Sequence, residues 1–177
     1  MSTNITAAGF ILLNYDVKQS KWKLFCLIDN DGLYDFPKGV IDEGESVLDA
    51  AKRELFEETN IDINNEKVFK TWVNWDSEWE ELKEESLDDI SIQGSTFEST
   101  LRLFFAEVEE SIIDEVKILP NPYTNIKEHI NYRFIDKEEF ESDNTPDYLR
   151  ESFDFVLNKI RLLGEERGFN NVERRKY

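Results

Sequence analysis

The stretch from Glu45 to Asn60 leaves this chain the least freedom. Leu48, Ala51 and Leu55 recur at intervals of three and four residues, the period of a helix with one buried stripe. Ser46, followed three residues later by Asp49, resembles a capping box and sets the start near Glu45 or Ser46. Asn60 sets the end, because asparagine tolerates the left-handed backbone that closes many helices. Glu54, Glu57 and Glu58 then fall at i, i+3 and i+4. At about 100° per residue they share one side of the helix. Like charges at these spacings repel, and the carboxyl end of a helix disfavours anions. Both penalties vanish if a divalent cation sits against that face. Hard oxygen donors without a Cys or His cluster favour magnesium, with manganese the alternative. Arg53 lies four residues before Glu57 and is placed to orient carboxylates that otherwise repel. Gly39 allows a backbone carbonyl to approach the metal closely.

The rest of the chain reads as strands around that helix. Ile5 to Leu13 and Trp22 to Ile28 are apolar runs with the length of strands, separated by the polar, turn-like segment Asn14 to Lys21. Asp29-Asn30-Asp31-Gly32 is a strong turn signal, and the two strands are expected to form a hairpin. Phe36-Pro37-Lys38-Gly39 predicts a shaped loop with little regular pairing. Strands are expected at Lys67 to Trp75, Ser99 to Val108 and Ile130 to Ile135. Asp76 to Asp89 is strongly acidic and reads as a short helix or a loop, part of an acidic insertion near 76–98. Pro146 to Leu163 reads as one long amphipathic helix with Tyr148, Phe153, Val156, Leu157 and Ile160 on its apolar side. Arg174-Arg175-Lys176 reads as a frayed tail. No repeat or linker divides the chain, so residues 1–177 are expected to form a single domain.

Charge narrows the partners. There are 39 acidic residues against 21 basic ones, for a formal net charge of −18. Such a surface repels polyanions, and non-specific nucleic-acid affinity comes mainly from Lys and Arg. A phosphorylated small molecule remains compatible where a metal ion and a few cations reverse the local field. One cysteine, Cys26, lies in an apolar run and reads as a small buried hydrophobe. No intrachain disulfide and no Cys-based zinc site follow from it, which suits a reducing compartment. No apolar stretch approaches the roughly 20 residues of a membrane span. The N-terminus lacks the regions of a secretory signal, so the expected location is cytoplasmic.

The segment GVIDEGESVLDAAKRELFEETNI, residues 39–61, resembles the Nudix box: glycine, five residues, Glu, seven residues, then Arg-Glu-apolar-x-Glu-Glu-x-Gly-apolar. The match departs at the final glycine, where this chain has Asn60. The resemblance implies an α/β fold, a Nudix-type α/β/α sandwich with a mixed sheet between helices. It implies a magnesium-dependent hydrolase cleaving a pyrophosphate bond. Glu57 and Glu58 would ligate the metal with help from the Gly39 carbonyl. Glu54 would be a further ligand or the base for water, and Glu45 a structural partner.

Two further segments lean toward a substrate. Phe36-Pro37-Lys38-Gly39 resembles the entry to the box in asymmetric dinucleoside tetraphosphate hydrolases. Phe104 to Val108, followed by Glu128-His129-Ile130-Asn131-Tyr132-Arg133-Phe134, is similar to the later strand and loop of that subfamily. Glu128 would then be a metal ligand or general base. Lys38 and Arg102 are the candidate phosphate contacts. Tyr132, Phe36 and Trp75 are aromatic candidates for stacking on a base, with burial in the core the plainer role for each. His129 reads as structural. Trp75 and Trp79 stand where that subfamily carries a tyrosine after the box. The competing readings are an RNA 5′-end pyrophosphohydrolase or decapping enzyme, and a Nudix module that senses a nucleotide without cleaving it.

Overall fold

A computed structural model describes residues 5–69 and 100–166. The expected strand beyond Phe69, the acidic segment Asp76 to Asp89, Trp75, Trp79 and the basic tail lie outside these residues.

The elements are β1 (Ile5–Asp16), β2 (Lys21–Ile28), β3 (Tyr34–Asp35), β4 (Lys38–Val40), α1 (Val47–Thr59), β5 (Val68–Phe69), β6 (Thr100–Val108), β7 (Asn131–Asp136), α2 (Lys137–Phe140) and α3 (Ser152–Glu166). The fold is the expected α/β/α sandwich with a mixed sheet. Among the described residues the sheet runs β3-β2-β1-β6-β5, with β4 also on β1 and β7 also on β2. β1 and β6 are parallel, from Ala7 opposite Leu101 to Leu13 opposite Glu107. The other pairings are antiparallel.

β1 and β2 form the expected hairpin, Leu13 opposite Leu24 through Asp16 opposite Lys21. The turn at Asp29–Gly32 closes a different hairpin, β2 to β3. There the Asp29 carboxylate accepts from the amides of Asp31 and Leu33, and Gly32 takes φ +80°. The segment Leu33 to Val40 is more regular than its Pro and Gly suggest, since β3 and β4 both pair. The physical reason lies in β1. A Cβ on Gly9 would stand 2.2 Å from the Pro37 carbonyl oxygen. The missing side chain lets the Pro37–Lys38 backbone press onto β1, and the Phe10 amide donates to the Pro37 carbonyl.

β6, the strand expected at Ser99 to Val108, does not alternate between buried and exposed side chains. Leu103, Phe104, Phe105 and Ala106 are all buried, because material covers both faces of this central strand. The long helix from Pro146 is broken instead. A 3-10 turn spans Asp147–Leu149, and the regular helix begins only at Ser152. Proline restricts its neighbours but fits the start of a turn. Phe153 then reaches Phe140, which stacks on Phe36 with ring centroids 5.5 Å apart. Phe36 is fully buried and therefore a core residue. Its anchoring fixes Asp35 on one side of it and Lys38 on the other.

Candidate active site

α1 is capped as its sequence predicts. The Ser46 hydroxyl accepts from the Asp49 amide, and Asn60 sits at φ +68°. Asn60 adds something glycine lacks: its side-chain amide donates to the Glu115 carbonyl at 3.2 Å. The Lys117 amide also donates to the Thr59 carbonyl. These bonds tie the chain after β6 to the helix end and direct it over the carboxylate face. The result is a cavity of about 340 Å³, lined on one side by Gly39, Arg53, Glu54, Glu57 and Glu58 and on the other by Leu119, Asn121, Tyr123, Glu128 and His129.

Arg53 organises one flank. Its guanidinium makes two bonds to Glu45, at 2.8 and 3.0 Å. It bonds Glu54 at 2.9 Å, Glu57 at 3.1 Å and the Val40 carbonyl at 2.9 Å. One planar fork thus holds three glutamates in register, and the partnership pushes its own pKa up. Gly39 takes part through its missing side chain. A Cβ there would stand 2.2 Å from the Glu54 carboxyl carbon. Burial raises the Glu54 carboxyl above its usual value, against the pull of Arg53.

Glu58 faces the other way. One oxygen accepts from the Lys38 amide at 3.0 Å, and the other lies 3.3 Å from His129 Nδ1. Burial pushes its carboxyl up to about 8; the Lys38 amide opposes this and the nearby Asp35 charge adds to it. His129 Nε2 lies 3.5 Å from Asp35, which also binds the Lys38 ammonium at 3.0 Å. Burial alone would raise the Asp35 carboxyl, but His129 and Lys38 outweigh it and leave it low. Glu128 is exposed and held by the Asn121 amide at 3.3 Å.

The sequence candidates therefore divide. Gly39, Arg53, Glu54, Glu57, Glu58, Lys38 and Glu128 line one cavity. Arg102 and Tyr132 are not among its lining residues. Arg102 lies on β6 opposite Ala8, and the Tyr132 ring packs on Phe25 with centroids 6.2 Å apart. Lys38, expected on a phosphate, spends its ammonium on Asp35.

Sequence reasoning missed three residues. Asp35 carried no motif. His129 read as structural, yet it lies between Glu58 and Asp35. Tyr123 stands at the cavity rim, 83% exposed. Its turn is built by Asn121, whose side-chain oxygen accepts from the amides of Tyr123 and Thr124. The run Asn121-Pro122-Tyr123 was the available signal, since an aromatic in a polar turn has no core to join. Glu58, Glu128 and His129 present ligand atoms within 4.8 Å of one another, and the acidic lining fits a divalent cation.

The sequence profile described as the NUDIX domain matches residues 6–157. An RNA pyrophosphohydrolase of Bartonella henselae is 30% identical over 138 residues, 75% of this chain and 76% of that protein. The structure of a C. elegans Ap4A hydrolase binary complex superposes with a TM-score of 0.56 at 19% identity, over 88% of this chain and 99% of the other. The NUDIX domain of Shewanella oneidensis NrtR complexed with ADP ribose superposes with a TM-score of 0.54 at 14% identity, over 89% and 90%. At these identities the superpositions show a shared fold. Among the described residues no helix is long and apolar enough to cross a membrane.

Proposed function

The chain belongs to the NUDIX domain family and is a hydrolase of pyrophosphate bonds, and from that premise we propose that it is a magnesium-dependent enzyme acting on a nucleoside polyphosphate, preferentially a dinucleoside tetraphosphate. One observation carries the preference for a small molecule. Both Lys38 and Arg53, the lysine and arginine of the cavity lining, are already bonded to carboxylates. Among the described residues, the lining thus offers no row of free cations to track an RNA backbone, and the net charge of −18 repels one at long range.

The chain's own groups divide the work. Arg53 holds Glu54 and Glu57 toward the cavity, and the Lys38 amide fixes Glu58. A divalent cation on these carboxylates would supply charge neutralisation for the phosphate oxygens and acidify a bound water. Glu54 or Glu128 takes the proton from the attacking water. Burial raises the Glu54 carboxyl, which makes it a better proton acceptor than a fully solvated carboxylate. Water adds to phosphorus as the bond to the bridging oxygen breaks, and a nucleoside phosphate or polyphosphate leaves. Tyr123 offers its ring to a base at the rim. The buried, free Cys26 fits a reducing cytoplasm.

A second reading has its own support. The Bartonella relative, matched over three quarters of both chains, is named for action on RNA. The deciding experiment offers diadenosine tetraphosphate, nucleoside triphosphates and 5′-triphosphate RNA in magnesium, with products separated by chromatography. Asymmetric cleavage of the dinucleotide is expected, with Tyr123→Ala raising KM more than it lowers kcat. Pyrophosphate released from RNA without dinucleotide turnover would move the assignment to the RNA end. Binding without products from any substrate would sink the hydrolase reading.

A further inference from the structure

His129 is the single histidine of the chain and is only 8% exposed. Its two nitrogens have different neighbours. Nε2 faces Asp35 at 3.5 Å, while Nδ1 lies 3.3 Å from Glu58, which lines the cavity. Donor atoms of His129, Glu58 and Glu128 lie within 4.8 Å of one another. Donors about 2 Å from one ion stand up to about 4 Å apart, so a small swing of the exposed Glu128 closes the set.

The surroundings are those of a metal-bound imidazole. Such a ring gives its other N–H to a carboxylate, which fixes the tautomer and leaves a lone pair for the ion. Asp35 occupies that position. It is itself fixed by the Phe36 amide at 2.9 Å and the Lys38 ammonium at 3.0 Å. Glu58 is likewise oriented, with one oxygen on the Lys38 amide and the other turned toward His129. Arg53 binds Glu54 and Glu57 rather than this trio, and the Lys38 ammonium is held on Asp35.

We propose that His129 Nδ1, Glu58 and Glu128 together hold a divalent cation, with Asp35 orienting the imidazole. The site is then a mixed nitrogen and oxygen site. Imidazole suits transition metals such as zinc, iron and nickel, whereas carboxylate, carbonyl and water oxygens suit magnesium. The chain therefore binds a transition metal at this flank more tightly than its carboxylates alone would. This deepens the hydrolase reading and rests on it only for the presence of a cation in the cavity.

The test uses the full chain stripped with EDTA and loaded with manganese. Pulsed electron paramagnetic resonance should show nitrogen-14 coupling from a directly bound imidazole. That coupling should vanish in His129→Gln. Calorimetry should show manganese affinity falling by about 10- to 100-fold in Asp35→Asn, an orienting role, with magnesium affinity changed far less. Wild-type protein without nitrogen coupling would overturn the proposal, with no variant needed. So would coupling that survives His129→Gln, or equal loss of magnesium and manganese affinity in Asp35→Asn. Magnesium-dependent turnover with no nitrogen coupling would remove this inference and leave the hydrolase reading standing. Failure to bind any cation would remove both.

Discussion

Glu57 and Glu58 are neighbours in sequence and line the same cavity, yet the fold compensates them in unlike ways. Glu57 shares Arg53 with Glu45 and Glu54, so its flank already carries a positive charge. Glu58 is half as exposed, 14% against 29% for its side chain. Its hydrogen-bond partner is a backbone amide, with His129 alongside. An amide dipole offsets far less than a guanidinium, so burial pushes Glu58 up to about 8. The Arg53 flank is thus assembled before any ion arrives, whereas the Glu58 flank holds a carboxylate that wants either a proton or a cation.

The most severe way to break this comparison is to remove one charge from each flank. Glu57→Gln and Glu58→Gln should each lower kcat by about a thousandfold, since charge neutralisation at the phosphate is worth several kcal/mol. Turnover within a few-fold of wild type in either variant would detach that flank from the chemistry. Arg53→Lys comes next. It keeps the charge and loses the fork, and should cost about 2 kcal/mol in urea unfolding, below the full cost of an orphaned buried pair because the site is partly open. An unchanged midpoint would mean that the glutamates are not held by that geometry.

The pH dependence separates the flanks more gently. Glu58 binds its proton more tightly in the folded chain than in the unfolded one, where a carboxyl titrates near 4.5. Its contribution to stability is complete below that value and is lost as pH rises through about 8. Metal-free protein should therefore be less stable to unfolding at pH 8.5 than at pH 6, by on the order of a few kcal/mol at most, and should melt at a lower temperature. The decline should flatten in Glu58→Gln and shrink when manganese is added. A slope identical in the variant would assign the decline to other groups.

The smallest effect is expected at the helix end. Asn60→Gly relieves a left-handed residue but gives up the bond to the Glu115 carbonyl, and these offset to within about 1 kcal/mol. Asn60→Ala keeps neither advantage and should destabilise by about 1–2 kcal/mol. Urea denaturation of the three proteins checks the order.

Local rules carried α1 and its face. Capping, the buried stripe and the carboxylate spacing are all short-range features, and the chain adopts them as written. The strands β1, β2, β6 and β7 were legible for the same reason. Their pairing was less so, because the Asp29–Gly32 turn closes β2 onto β3. The order of β4 depends on Gly9, some thirty residues away in sequence.

The sequence by itself determined the helix, its acidic face and the family, and led to the expectation of a cation, since each follows from spacing within a few turns. Only the tertiary structure decided how the charges are shared. Asp35, Lys38, Glu58, Glu128 and His129 come from three distant segments that meet because β2 pairs both β3 and β7. The Ile130 amide bond to the Ile28 carbonyl then sets His129 beside the end of α1. No local pattern records such a meeting, because the contact exists only after the strands are in register.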